Sequence, residues 1–201
     1  FNPEAFGINP VQDPEKGTVN IEYVVEEKPT DQIELQGGWG GGRIVGSLGV
    51  TFNNFAVGKA LKKGAWRPVP MGDGQRVSVR AQSNGLFFQS YNVSFTEPWL
   101  GGKKPNALTV AAWRSIQSNG QPKNIEGEPN PLRQTLMITG VSASIGQRWK
   151  QPDDWFTVNA GLSYQRFDFD QYNSGLFSFT DGRSNNIALN LIVSRNSVSD
   201  P

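Results

Sequence analysis

Apolar and polar side chains alternate along most of this chain, and the alternation comes in separate runs. In residues 18–26, Val19, Ile21, Tyr23 and Val25 fall on one side and Asn20, Glu22 and Val24 on the other. That period of two predicts a half-buried strand. Residues 1–17 carry Asn9-Pro10 and Asp13-Pro14 and read as loop and turn. The next run opens with Ile33 and Leu35 opposed to Glu34 and Gln36. It then dissolves into Gly37, Gly38, Gly40, Gly41 and Gly42 around one side chain, Trp39. Glycine inside a strand weakens it and lets other backbone approach. The stretch 31–42 is therefore either a lead-in or a loose sheet edge.

The runs after it are better formed. Residues 44–52 set Ile44, Leu48, Val50 and Phe52 against Val45, Ser47 and Thr51; residues 75–82 set Val77, Val79 and Ala81 against Arg76, Ser78 and Arg80. Between them, 58–74 has no period of two and predicts a long connection with one helical turn at 59–63. Asn84-Gly85 predicts a two-residue hairpin turn, and 87–97 returns with Tyr91, Val93 and Phe95 on the apolar side. Further strands are expected at 106–118, 134–149, 156–164 and 186–195, with a polar loop at 119–131, a short turn at 151–154 and a loop at 168–184.

About eight strands thus follow residue 30, most of roughly 9–14 residues, the length a tilted strand needs to cross a bilayer. One side of each carries Val, Leu, Ile, Phe and Ala; the other carries Ser, Thr, Asn, Gly and Arg. Trp99, Trp149 and Trp155 stand at strand ends, as the aromatic girdles of membrane barrels do. A soluble β-sandwich also alternates, but its strands are usually nearer five or six residues. The pattern favours an all-β chain forming part of an antiparallel transmembrane β-barrel.

Composition narrows the partners. The chain has 201 residues, a net charge of +1, no Cys and no His, and a mean hydropathy of −0.46. Bulk charge does not indicate a nucleic-acid partner, and the polar average is what barrel alternation produces. Absence of Cys excludes a disulfide scaffold. The chain opens at Phe1 without Met and reads as a piece of a longer polypeptide.

Candidate chemistry is sparse. The glycine run has no Gly-Lys-Ser/Thr and no following helix, so it is not a phosphate loop. Asp153-Asp154 and Asp168 with Asp170 could meet a cation but read as solvated carboxylates. Asn92-Val93-Ser94 matches a glycosylation acceptor inside an expected strand. Lys59, Lys62 and Lys63 suit a solvated connection, while Arg76 and Arg80 fall on the expected lumen face. No catalytic residue, cofactor or metal is expected, and no enzyme.

Three segments carry a resemblance. VNIEYVVEEKPTDQIELQGGWGGG at 19–42, SFTEPWL at 94–100 and LIVSRNSVSD at 191–200 resemble the BamA family of outer-membrane assembly barrels. Phe1 to Glu4 resembles the segment after that family's last POTRA helix. The resemblance implies that 1–30 is the C-terminal part of the last POTRA domain. Residues 31–201 would then be the first half of the barrel, strands one to eight, in the outer membrane of a Gram-negative bacterium with the POTRA part in the periplasm. It further implies that the first strand is a lateral-gate edge that pairs with client strands. Carried over, that edge is Gln32, Ile33, Glu34, Leu35, Gln36, Gly37, Gly38 and Trp39. The implied partners are unfolded outer-membrane protein clients, lipoprotein subunits of the assembly machine, the lipid bilayer and lipopolysaccharide. The rivals are a related POTRA-barrel transporter of polypeptides, a passive porin-like channel, and a soluble sandwich.

Overall fold

The computed structural model describes residues 7–13, 17–24, 31–40, 43–66, 69–102, 105–173, 175 and 178–197. Residues 1–4, 25–30, Gly41, Gly42 and 198–200, which entered the resemblance, lie outside them. The chain divides into two compact units, Phe1–Thr30 and Asp31–Pro201.

The first unit is a two-stranded antiparallel sheet of β1 (Gly7–Asp13) and β2 (Thr18–Val24), in register from Gly7↔Val24 to Asp13↔Thr18. The expected loop at 7–13 is therefore a strand. Proline is tolerated where its missing N–H faces away from the only partner, and in a two-stranded sheet each strand has one open side. Asn9-Pro10 thus fits inside β1, with Pro10 opposite Ile21.

The second unit is built on one eight-stranded sheet. Its strands are β3 (Gln32–Gly40), β4 (Arg43–Phe55), β5 (Gln75–Ser83), β6 (Phe88–Glu97) and β7 (Ala107–Ser118). After a small hairpin of β8 (Asn124–Ile125) and β9 (Glu128–Pro129) come β10 (Thr135–Trp149), β11 (Phe156–Asp170) and β12 (Gly182–Arg195). The sheet order β12-β11-β10-β7-β6-β5-β4-β3 follows the sequence, every neighbour is antiparallel, and β3 and β12 are its edges. Sequential antiparallel pairing is what hairpin connections produce.

Four local expectations change. The glycine run does not end β3; its ladder with β4 continues through Gly37↔Gly46 and Trp39↔Ile44 to Gly40↔Arg43, because backbone pairing needs no side chain. Asn84-Gly85 does not make a two-residue turn. Pairing stops at Ser83↔Gln89, and the Asn84 N–H donates to the Phe88 carbonyl at 3.0 Å. The intervening carbonyls are engaged elsewhere: Phe87 O accepts from the Ser118 N–H at 2.8 Å, and Leu86 O accepts from the Ser118 hydroxyl. The tight two-residue turn appears instead inside the polar loop, where Glu126 and Gly127 both take positive φ, 53° and 92°, between β8 and β9. The helical turn in the long connection is a 3₁₀ turn at Val57–Lys59, slightly earlier than expected.

That connection is folded, not slack. Pro70 is fully buried and Ala56 is inaccessible, with the Ala56 N–H donating to Pro70 O at 2.9 Å. Gln75 ties it to the sheet: its side-chain oxygen accepts the Val57 N–H at 2.7 Å and its amide donates to Glu97 at 2.7 Å. A one-residue bulge on β4, between Phe52↔Val77 and Phe55↔Gln75, starts the departure from the ladder.

Candidate functional site at the sheet edge and its two faces

Because side chains alternate and the registers are fixed, rows run straight across the sheet. One row reads Ile33, Val50, Val79, Val93, Ala112 and Val141, and continues to Tyr164 and Ile187. These belong to an apolar face left open to its surroundings. Ile33 is 78% exposed, Leu35 81% and Leu189 80%. Water-soluble surfaces rarely leave a contiguous apolar patch beyond a few hundred Å², and this face spans eight strands. On β11 the apolar alternation runs over 156–164, about 27 Å of strand, or roughly 20 Å once tilted as in a membrane barrel. That is close to a hydrocarbon core.

The opposite face is polar. Thr51 and Ser78 hydroxyls meet at 3.1 Å and those of Thr96 and Thr109 at 3.0 Å. The expected pair Arg76 and Arg80 lies here: Arg76 sits opposite Thr96, and Arg80 binds Glu34 at 2.7 Å. Glu34 is on β3 and Arg80 on β5, so the ion pair passes over β4 where Gly49 stands between them. A Cβ on Gly49 would come within 3.4 Å of the Glu34 carboxylate and 3.5 Å of Arg80 Nε. Both charged side chains are about half exposed, so the pair adds at most about 1 kcal/mol.

All eight candidate positions from Gln32 to Trp39 lie in β3. Among the described residues this strand hydrogen-bonds to β4 alone, as β12 at the other edge does to β11, which leaves about half of its backbone donors and acceptors facing away. Gly37 and Gly38 have nothing within 4 Å of where a Cβ would be. Asp31 fixes the strand's start by accepting the Asn53 N–H at 3.0 Å.

The sequence reading missed one feature. On β10 and β11 the two faces exchange polarity at one end. Leu136 and Ile138 alternate out of phase with Val141, Ala143 and Ile145; Phe167 and Phe169 are out of phase with Leu162 and Tyr164. No bulge intervenes, since Thr135↔Asp170 and Trp149↔Phe156 belong to one uninterrupted register. Beyond the exchange, Leu136 and Phe169 are buried on the formerly polar side, where Phe169 meets Phe179 edge-on at 5.2 Å. The formerly apolar side turns polar in two rows. The first is Tyr91, Arg114, Thr139, Arg166 and Asn185; the second is Gln89, Ile116, Met137, Asp168 and Arg183. Asp168 is held by Arg166, at 3.0 and 2.8 Å, and by Arg183 at 2.8 Å. The signal was present in sequence as a switch from even to odd apolar positions near residue 165. Among the described residues no group of three or more His, Cys, Asp or Glu gathers as a metal site.

Comparison with known proteins fits this geometry. The profile described as the Omp85 superfamily domain matches residues 71–201. The crystal structure of BamA from Haemophilus ducreyi lacking POTRA domains 1–3 is similar in fold, with a TM-score of 0.56 at 16% identity. The likeness covers 98% of this chain but 36% of that one, so the chain spans about a third of its length. No curated protein matches the sequence.

Proposed function

Since the chain belongs to the Omp85 superfamily, we propose that it serves in inserting and folding β-barrel proteins in the outer membrane of a Gram-negative bacterium, with β3 as the lateral-gate edge that receives client strands. The observation that carries this reading is the glycine-rich half of β3, where Gly37 and Gly38 are laddered to β4 by backbone alone. An edge left open in hydrocarbon costs several kcal/mol per unsatisfied group, so a client strand is held strongly when it supplies the missing partners. Backbone pairing of this kind does not demand one client sequence. The empty space beside Gly37 and Gly38 supports the same reading, because no side chain there dictates what may lie alongside.

In this scheme the apolar face meets lipid and the polar face lines the wet interior. The same proposal takes residues 1–30 as the end of a POTRA domain and the start of β3 as the periplasmic end of the sheet. The exposed Trp99, Trp149 and Trp155 lie at that same end of the strands. Lipoprotein subunits would complete the machine. The work comes from the client's own folding; no catalytic residue or nucleotide takes part.

Site-directed cross-linking in the full protein tests it. Cysteines replacing Gln32 or Gln36 are expected to capture the C-terminal strand of a client during assembly. Capture only from polar-face positions such as Ser90 or Asn159 would overturn the edge reading in favour of translocation through the interior.

A further inference from the structure

The polarity exchange leaves a cationic cleft directly above the apolar band, on the same face. One cleft of about 510 Å³ lies between the sheet and the loop that carries β8 and β9, and its cations are Arg114, Lys123 and Arg133. A second, of about 480 Å³, shares Arg114, Met137 and Asp168 with the first and extends to Arg166, Tyr164 and Val141. The two adjoin at those shared residues, and their linings extend from charged groups to Val141 and Tyr164 of the apolar row.

With Arg183, the region holds five cations against the two carboxylates Asp168 and Asp170. Asp168 is already engaged by two arginines and serves to aim them. Arg114 has a different partner: among the described residues its side chain bonds only the Met137 thioether, a weak acceptor. Lys123 has no ion pair among the described residues. A guanidinium with no carboxylate, at the border of a hydrocarbon-length apolar face, is suited to an anion that arrives with a lipid.

We propose that this cleft binds the phosphates of a diphosphorylated glycolipid, whose acyl chains lie along the apolar band. The cations span β7 to β12, three strand spacings or about 14 Å, wider than one phosphate and matched to a headgroup bearing two. The continuity of the cleft with Val141 and Tyr164 selects a lipid over a free anion. The inference rests on the membrane-barrel reading and on its orientation, which puts the cleft in the outer leaflet. It does not depend on client pairing at β3.

The test uses the full protein reconstituted in phosphatidylcholine nanodiscs, titrated with lipid A, with dephosphorylated lipid A and with inorganic pyrophosphate. The double variant Arg114→Gln/Lys123→Gln breaks no ion pair of the described residues, so it is expected to fold; circular dichroism and heat-modifiable migration check this. Lipid A affinity should fall about tenfold or more in the variant, the order of one lost charge-assisted hydrogen bond. Dephosphorylated lipid should bind the unaltered protein as weakly. Arg148→Gln, on the polar face at the other end of β10, should bind as the unaltered protein does. Equal lipid A binding by the double variant would overturn the proposal, and so would pyrophosphate binding as tightly as lipid A. Loss of client cross-linking at Gln32 with the lipid result intact would remove the edge reading alone. Failure to insert into nanodiscs would remove the barrel reading beneath both.

Discussion

At the scale of single residues, Trp113 and Gly140 show how the sheet tolerates glycine. They are cross-strand partners on the polar face of β7 and β10, and the indole lies where a Gly140 side chain would be. In sequence each residue reads as unremarkable: a lone aromatic among Ala and Arg, and a strand-weakening glycine. Neither declares the other, because register between strands is not a local property. Gly140→Ala is expected to force the indole aside and destabilise the fold by about 1–3 kcal/mol. Gly146→Ala, whose Cβ would meet only Asn159 at 3.5 Å and Ala107 O at 3.9 Å, should be nearly neutral. Denaturant unfolding in micelles compares the two. The Glu34–Arg80 pair over Gly49 was equally hidden: sequence put both charges on polar sides but could not say that they meet across an intervening strand.

At the scale of elements, β3 illustrates the limit of propensity. Its glycines suggested a strand that fades, yet the ladder reaches Gly40. Existence and approximate bounds of the long strands were legible because a period of two persisted over many residues. What was not legible depended on competition from elsewhere: the Asn84-Gly85 turn gave way to Ser118 claiming the carbonyls of Leu86 and Phe87. The further extension of β11 to Asp170 was concealed by the change of phase, which looks like the end of a strand when only one face is followed. A Cβ at Gly37 or Gly38 would meet no atom within 4 Å, so Gly37→Val and Gly38→Val are each expected to fold normally. Added β-branched bulk should stiffen the edge and reduce the rate of client assembly in proteoliposomes. An unchanged rate would mean that the glycines have no part in partner exchange.

For the whole molecule, the two faces make a prediction about depth in the membrane. Leu162→Arg, in the middle of the apolar band, is expected to cost about 2–4 kcal/mol of folding free energy in a bilayer. Ser163→Arg, one residue on and facing the other way, should cost much less; refolding into lipid vesicles over a urea series measures both. Alternation made this arrangement legible from the start, since every strand repeats it, whereas the exchange of faces required knowing which strands stand side by side. That exchange has a geometric consequence. Because pairing continues unbroken while the polarity changes over, β11 carries its own waterline between Tyr164 and Arg166. A displacement of two residues along the membrane normal, about 5 Å for a tilted strand, would drag Arg166 and Asp168 into hydrocarbon or strand Leu162 and Tyr164 in water. Each alternative is costly, so the molecule rides at one height, and whatever it presents to the lipid is presented at a fixed level.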